Sequence, residues 1–95
     1  MANYDTEAIR RLANRLDNTA QSLSQIQRNS SNKVSGISQE MTGDTINAID
    51  SVNEKLSEEL RAICKGLTRN ANALYQYARE LDIADAKAKS MIGSN

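Results

Sequence analysis

The chain has 95 residues with twelve basic and twelve acidic side chains, so its formal net charge is zero at pH 7. This length limits the chain to one domain, and the balanced charge argues against a nucleic-acid partner held by net positive charge. Histidine and proline are absent and glycine occurs only four times, so the commonest general base is missing and few positions favour a turn.

The composition lacks most of the groups that catalysis commonly requires. Cys64 is the only cysteine, so it cannot form an internal disulfide, and no histidine is present to activate it as a nucleophile. No glycine-rich phosphate loop or calcium-binding loop occurs. We therefore expect no enzyme activity, no catalytic residue, no metal ligand and no cofactor, and we expect Cys64 to pack as a small apolar side chain.

The first predicted helix covers about residues 5–40. Asp5 or Thr6 can cap its N-terminus, and apolar residues then recur at alternating spacings of three and four, which is typical of one narrow helix face. The apolar members of this repeat are Ile9, Leu12, Leu16, Leu23, Ile26 and Ile37. The polar segment 28–36 is the alternative place for a chain reversal, but the repeat continues through it.

The predicted turn covers about residues 41–44. Its motif is Met41, Thr42 and Gly43, in which the glycine can adopt a positive φ at a helix end without steric cost. Asp44 or Thr45 can then cap the next helix.

The second predicted helix covers about residues 45–92 and carries the same repeat. Its apolar members are Ile46, Ile49, Leu56, Leu60, Ile63, Leu67, Leu74, Tyr77 and Leu81. A row of Arg61, Lys65 and Arg69 at spacing four favours a solvated face over an anion site. Neither helix contains about 18 consecutive apolar residues, so no membrane span is expected.

Together these elements predict an all-α fold, an antiparallel helix-turn-helix hairpin formed by a single domain of residues 1–95. One alignment pairs Ile9 with Tyr77, and it continues along the chain with Leu12 on Leu74 and Leu23 on Ile63. A thin two-helix rod buries little surface, so we expect dimerisation to complete a four-helix bundle. The residues expected to contact the partner are Leu12, Leu16, Leu23, Ile26, Leu60, Ile63, Leu67, Leu74, Tyr77 and Leu81.

The same alignment leaves residues 81–95 without a partner on the first helix. This segment is predicted to project as a C-terminal tail that still carries apolar side chains. An uncovered amphipathic end is a predicted contact for another protein.

In length, turn position and tail spacing, the chain resembles the WXG family of type VII secretion proteins. The family motif Trp-x-Gly corresponds to Met41-Thr42-Gly43, with methionine in place of tryptophan. The family's tail signal, Tyr-x-x-x-Asp/Glu, corresponds to Leu81 and Asp85, with leucine in place of tyrosine. The chain is most similar to relatives that lack the tryptophan and partner larger toxins of the LXG class.

The resemblance implies a small non-enzymatic protein that is made in the cytoplasm of a Gram-positive bacterium and exported without a cleavable signal peptide. The Met1–Glu7 start, which lacks a positively charged region followed by an apolar one, agrees with that expectation. The implied partners are a second copy, a homologous small helical protein or the N-terminal helical domain of a toxin. The resemblance also implies that the secretion ATPase recognises the tail by Leu81 and Asp85.

Two other interpretations fit a helical hairpin. The first is an intracellular helical adaptor or coiled-coil scaffold unrelated to secretion, and the second is a needle-type subunit of another secretion system. Tail-independent behaviour would favour the adaptor, and open-ended polymerisation would favour the needle subunit.

Overall fold

A computed structural model describes residues 5–41 and 43–93 and confirms the helical hairpin. Helix α1 covers Thr6–Ser38 and helix α2 covers Asp44–Gly93, with no strand in the described ranges. Compared with the predicted bounds, α1 ends two residues earlier, while α2 begins one residue earlier and ends one residue later. The two helices run antiparallel along a rod that measures 80 × 15 × 14 Å.

Local capping explains where α1 begins. The Asp5 side chain accepts a hydrogen bond from the Ala8 backbone N–H at 3.1 Å, and this satisfies one of the unpaired donors of the first turn. The helix then continues without interruption through residues 28–36, so a reversal in that segment is excluded. Ser31 and Val34 are half-buried there, and packing of this kind offsets the weak helix propensity of the segment.

Gly43 closes the turn with a φ of 77°, the left-handed conformation that favours glycine. At the end of α1, the Glu40 N–H donates to the Ile37 carbonyl at 3.0 Å and tightens the last turn. Of the predicted turn motif, Met41 and Gly43 are exposed, whereas Thr42 lies outside the described residues.

The contact between the two helices consists of small side chains. Ala13, Ala71 and Ala78 have no exposed surface, and Ala20 is 5% exposed. The only other fully buried side chain among the described residues is Ser57, whose hydroxyl accepts a hydrogen bond from Gln27 Nε2 at 3.0 Å. Because small side chains let two backbones approach closely, the hairpin has no space for a leucine-filled interior.

The predicted layers of large apolar pairs are therefore wrong in their details. Where the repeat predicted Leu12, Ile63 and Tyr77 at the centre of the contact, these side chains are about half exposed. The more buried position in each case is the following residue: Ala13 and Ala78 are buried, and Cys64 is half-buried. The leucines of the alternate layers, such as Leu16 and Leu74, are half-buried at the edge of the contact.

The axial alignment of the helices agrees with the predicted one. Cys64 Sγ lies 3.3 Å from the Ala20 carbonyl oxygen and 3.6 Å from Ser24 Oγ, and Gln27 contacts Ser57. Each of these residues lies within two positions of its predicted partner. The error thus lies in the rotation of each helix about its axis and not in the alignment along the rod.

At its far end, the hairpin extends slightly further than predicted. Leu81 is half-buried, and Asp82 is bound by Arg10 of α1. The projecting part of α2 therefore starts after Asp82 and not at Leu81. The reach of the long arginine side chain explains the difference.

We expect alanine substitutions of Gly66, in α2, and of Gly43, in the turn, to change the free energy of unfolding in opposite directions. No atom lies within 4 Å of a Cβ added at Gly66, so Gly66→Ala should raise the free energy of unfolding by about 0.5–1 kcal/mol. Gly43→Ala should lower it by about 1–2 kcal/mol because φ there is 77°. Urea unfolding followed by circular dichroism, at one fixed protein concentration, measures both. Equal effects of the two substitutions would contradict the assigned turn.

Candidate partner-binding face

The heptad spacing puts most of the large apolar side chains of both helices on one side of the rod, which we call the apolar face. Its α1 members are Ile9, Leu12, Leu16, Leu23, Ile26 and Ile37. Its α2 members are Ile49, Val52, Leu56, Leu60, Ile63, Leu67, Leu74, Tyr77 and Leu81. Most of them recur seven residues apart, and that spacing keeps them on one side of two paired helices.

Grooves along the apolar face show that α1 and α2 contribute to it together. One groove near the turn is lined by Val34 of α1 and by Ile49 and Val52 of α2. The next groove along the rod is lined by Ile26 together with Leu60 and Ile63. In this half of the rod the large side chains thus flank the helix contact on one side, and the heptad spacing extends the apolar surface towards Leu12 and Tyr77.

This surface is exposed in the single hairpin. Leu12 is 49% exposed, Ile63 is 51% exposed and Ile26 is 57% exposed. The accessible surface of the chain is 7333 Å², whereas a compact monomer of this mass has roughly 5,400 Å². A soluble monomer rarely exposes an apolar surface that runs along its length, so the face is the strongest candidate for a protein contact.

All ten predicted partner-contact residues belong to the heptad repeat that defines the apolar face, and three of them, Ile26, Leu60 and Ile63, line one of its grooves together. Leu12, Ile26, Ile63 and Tyr77 are the exposed members of that set. The half-buried members are Leu16, Leu23, Leu60, Leu67, Leu74 and Leu81. The predicted set omitted five members of the face, namely Ile9, Ile37, Ile49, Val52 and Leu56. Of these, Ile37, Val52 and Leu56 are 48%, 59% and 51% exposed, and all but Val52 belong to the heptad repeat and were recognisable by it.

The opposite side of the rod is a polar groove, which we call the polar face. It is lined from α1 by Asp17, Asn18, Gln21, Ser24, Gln25 and Arg28, and from α2 by Cys64, Lys65, Thr68, Arg69 and Asn72. Cys64 is half-buried at the base of this groove, as expected of a small packing residue. The hairpin is therefore two-sided, with one apolar and one polar surface.

A cluster of charged and polar side chains ties the start of α1 to α2. The Arg10 guanidinium donates to Asp82, to Glu7 Oε1 at 2.6 Å and to Thr6 Oγ1 at 3.5 Å. The hydrogen bond from Arg10 lowers the pKa of the Asp82 carboxyl, and a hydrogen bond from Thr6 adds to that shift. The same contact raises the pKa of Arg10 above its ordinary value.

The predicted tail signal sits where α2 leaves α1. Leu81 is half-buried, and Asp85 lies one turn further on, with its carboxylate 3.5 Å from Lys89 Nζ. Beyond this point Met91 and Ile92 are well exposed. The structure thus places Leu81 and Asp85 at the border between the hairpin and its projecting end.

Two further observations concern the described residues only. No group of three or more cysteine, aspartate or glutamate side chains in residues 5–41 and 43–93 is arranged to hold a metal ion. Over the same ranges, neither helix has an apolar stretch long enough to cross a membrane.

The family model described as "Proteins of 100 residues with WXG" matches residues 2–86. The chain belongs to this family. Searches of curated proteins and of solved structures gave no significant match.

Membership in the WXG family makes the chain a small helical protein associated with type VII secretion. Proteins of this family typically pair with helical partners, and they are secreted proteins rather than known enzymes. The chain departs from the family name because it contains no tryptophan. Met41 lies two residues before Gly43 in the turn.

The contact between Arg10 and Asp82 predicts how the far end of the hairpin responds to pH. Because the folded pKa of Asp82 is lowered, the contact stabilises the hairpin above the ordinary carboxyl pKa and is lost as the pH falls through the folded value. An NMR titration of Asp82 should give a midpoint pKa below that of an ordinary aspartate, and Arg10→Gln should move that midpoint upward. Arg11→Gln is the control because Arg11 pairs with Asp5. An unchanged midpoint in Arg10→Gln would contradict the assignment.

Proposed function

We propose that the chain is a non-enzymatic protein of a type VII secretion system that functions in a paired, four-helix form. It is exported as a substrate, as a co-secreted helical chaperone or as a targeting factor for a larger toxin. The pairing surface is the apolar face, and the partner is a second copy, a homologous small helical protein or the toxin's N-terminal helical domain.

The observation that carries this proposal is the exposure of the apolar face in the single hairpin. The interior between α1 and α2 is filled by alanines such as Ala13 and Ala71, so the larger side chains have no place inside it. A second helical hairpin laid on this face buries both apolar surfaces and yields a four-helix bundle. Burial of apolar area is the main driving force of such association.

The proposal assigns the tail a separate role. Leu81 and Asp85 are the recognition residues for the secretion ATPase, and they lie at the border of the projecting end of α2. At this border they are reachable by another protein while the apolar face remains covered by the helical partner. Pairing and export recognition thus use different parts of the rod.

A charge on the apolar face should prevent pairing without unfolding the hairpin. Ile63→Asp places a carboxylate in a surface that the partner must desolvate, so we expect association to weaken by at least about 2 kcal/mol. Light scattering coupled to gel filtration measures the mass, at high salt to suppress surface charge effects.

The matched control is Thr68→Asp, which adds the same side chain to the polar face. It should leave the paired mass unchanged. A wild-type chain that stays monomeric both alone and with helical domains encoded beside it, or an Ile63→Asp variant that pairs normally, would refute the pairing surface.

Replacing Asp85 should reduce export while leaving pairing intact. Loss of one charge-assisted contact of about 1.5 kcal/mol weakens tail recognition about tenfold, so Asp85→Ala should lower the secreted fraction strongly. Immunoblots of culture supernatants and cell lysates, from a strain with an intact type VII system, measure that fraction.

Lys89→Ala is the control for this experiment because it breaks the ion pair between Lys89 and Asp85 without removing the carboxylate. Equal export of Asp85→Ala and the wild type would exclude Asp85 as a recognition residue. An equal loss in Lys89→Ala would instead assign the effect to the ion pair and the local helix.

A further inference from the structure

Two short rows of opposite charge follow one another along α2. The acidic row is Asp50, Glu54 and Glu58, and the basic row is Arg61, Lys65 and Arg69. Each row has a spacing of four residues, which keeps successive side chains close together on one helix side. All six side chains are exposed in the hairpin.

The two rows lie away from the apolar face. Lys65 and Arg69 line the polar groove, and the spacing of three and four residues continues from them back to Asp50. By contrast Glu59, next to Glu58, lines a groove of the apolar face. A partner that covers the apolar face therefore leaves both rows in solvent.

The charges of the rows are only weakly compensated, at the point where Glu58 and Arg61 stand three residues apart. Like charges four residues apart on a helix destabilise it slightly, and each row contains two such pairs. None of the six residues is in an ion pair within 4.0 Å among the residues that the structure describes. The charged groups of both rows are thus available to bind another molecule.

The spacing of the rows makes α2 complementary to a second α2 that runs in the opposite direction. If a two-fold axis lies midway between Glu58 and Arg61, Glu58 of each copy meets Arg61 of the other. The same axis brings Glu54 to Lys65, and Asp50 to Arg69. Each pairing occurs twice across the axis because a two-fold contact uses the same surface on both copies.

Helix α1 is compatible with this arrangement. The contacts of Gln27 with Ser57 and of Ala20 with Cys64 place residues 23–26 beside the two-fold axis. Arg28 of one copy then faces Gln21 of the other, and the neighbouring groove residues Ser24 and Gln25 are uncharged. Side chains of like charge therefore do not face each other between the two copies of α1, and their amide and hydroxyl groups can exchange hydrogen bonds.

We propose that the polar face is a second, isologous contact surface through which two copies of this chain associate in antiparallel orientation. The contact consists of the acidic row of each copy against the basic row of the other. It is separate from the apolar face and does not depend on pairing there. When both surfaces are used, four-helix units join side by side through their polar faces.

The contact should be weak and sensitive to salt because exposed ion pairs contribute little each and are screened within about 10 Å at 0.1 M ionic strength. An anionic partner such as nucleic acid or an acidic membrane would use the basic row alone. The adjoining acidic row would repel such a partner. The involvement of both rows distinguishes self-association from binding to an anion.

Sedimentation velocity of full-length Ile63→Asp, in which apolar pairing is removed, isolates the contact. We expect the dissociation constant to rise at least about tenfold between about 50 mM and 500 mM NaCl. The triple reversal Asp50→Lys, Glu54→Lys, Glu58→Lys should abolish association at low salt, as should Arg61→Glu, Lys65→Glu, Arg69→Glu. Combining both reversals, or mixing the two reversed chains, should restore it.

If a triple reversal fails to fold, the single variants Glu58→Lys and Glu59→Lys test the same contact as a matched pair. Only Glu58→Lys should weaken the salt-sensitive step, and circular dichroism verifies that both chains remain helical. Three results would overturn the proposal: no effect of salt on the mass, no recovery in the folded double reversal, or dependence on the basic row alone. Loss of pairing through the apolar face is recognised separately, since that step is insensitive to salt.

Discussion

The close contact of alanine side chains between α1 and α2 determines the rest of this structure. Ala13, Ala20, Ala71 and Ala78 are buried where the helices meet, and residues of this size leave no room for leucine or isoleucine between the backbones. The large side chains are therefore displaced to one flank of the contact. A hairpin with a larger interior would hide these side chains, whereas this one presents them as a continuous apolar face.

The two sides of the rod consequently have different physical properties. The apolar face gains free energy by being covered, in proportion to the area removed from water, and it tolerates salt. The polar face carries hydroxyl, amide and charged groups along its groove, which are already well solvated. An interaction there depends on charge complementarity, so it is weaker and varies with ionic strength. Such a division allows one small chain to combine a stable partner with a reversible one.

Much of the fold follows from local patterns in the sequence. Two heptad repeats separated by Gly43 determine the two helices, their antiparallel direction and their alignment along the rod. The acid at Asp5 marks the N-cap. The repeat did not reveal which of two adjacent rows of residues on each helix forms the interior between the helices. Leu12 and Ala13 each belong to a series of residues spaced seven apart. Hydrophobicity alone favours the leucine series as the interior of the hairpin. The structure places the alanine inside, where its small side chain lets the two helices approach closely.

The sequence by itself determined the helical hairpin, its turn and the identity of the large apolar residues, because each of these depends on neighbours within a few positions along the chain. Tertiary structure alone decided that these residues lie outside the helix pair, that Arg10 holds Asp82, and that the projecting part of α2 begins after that contact. Those features depend on the rotation of one helix against another. That rotation is set by the packing of side chains from distant segments, and no local pattern records it.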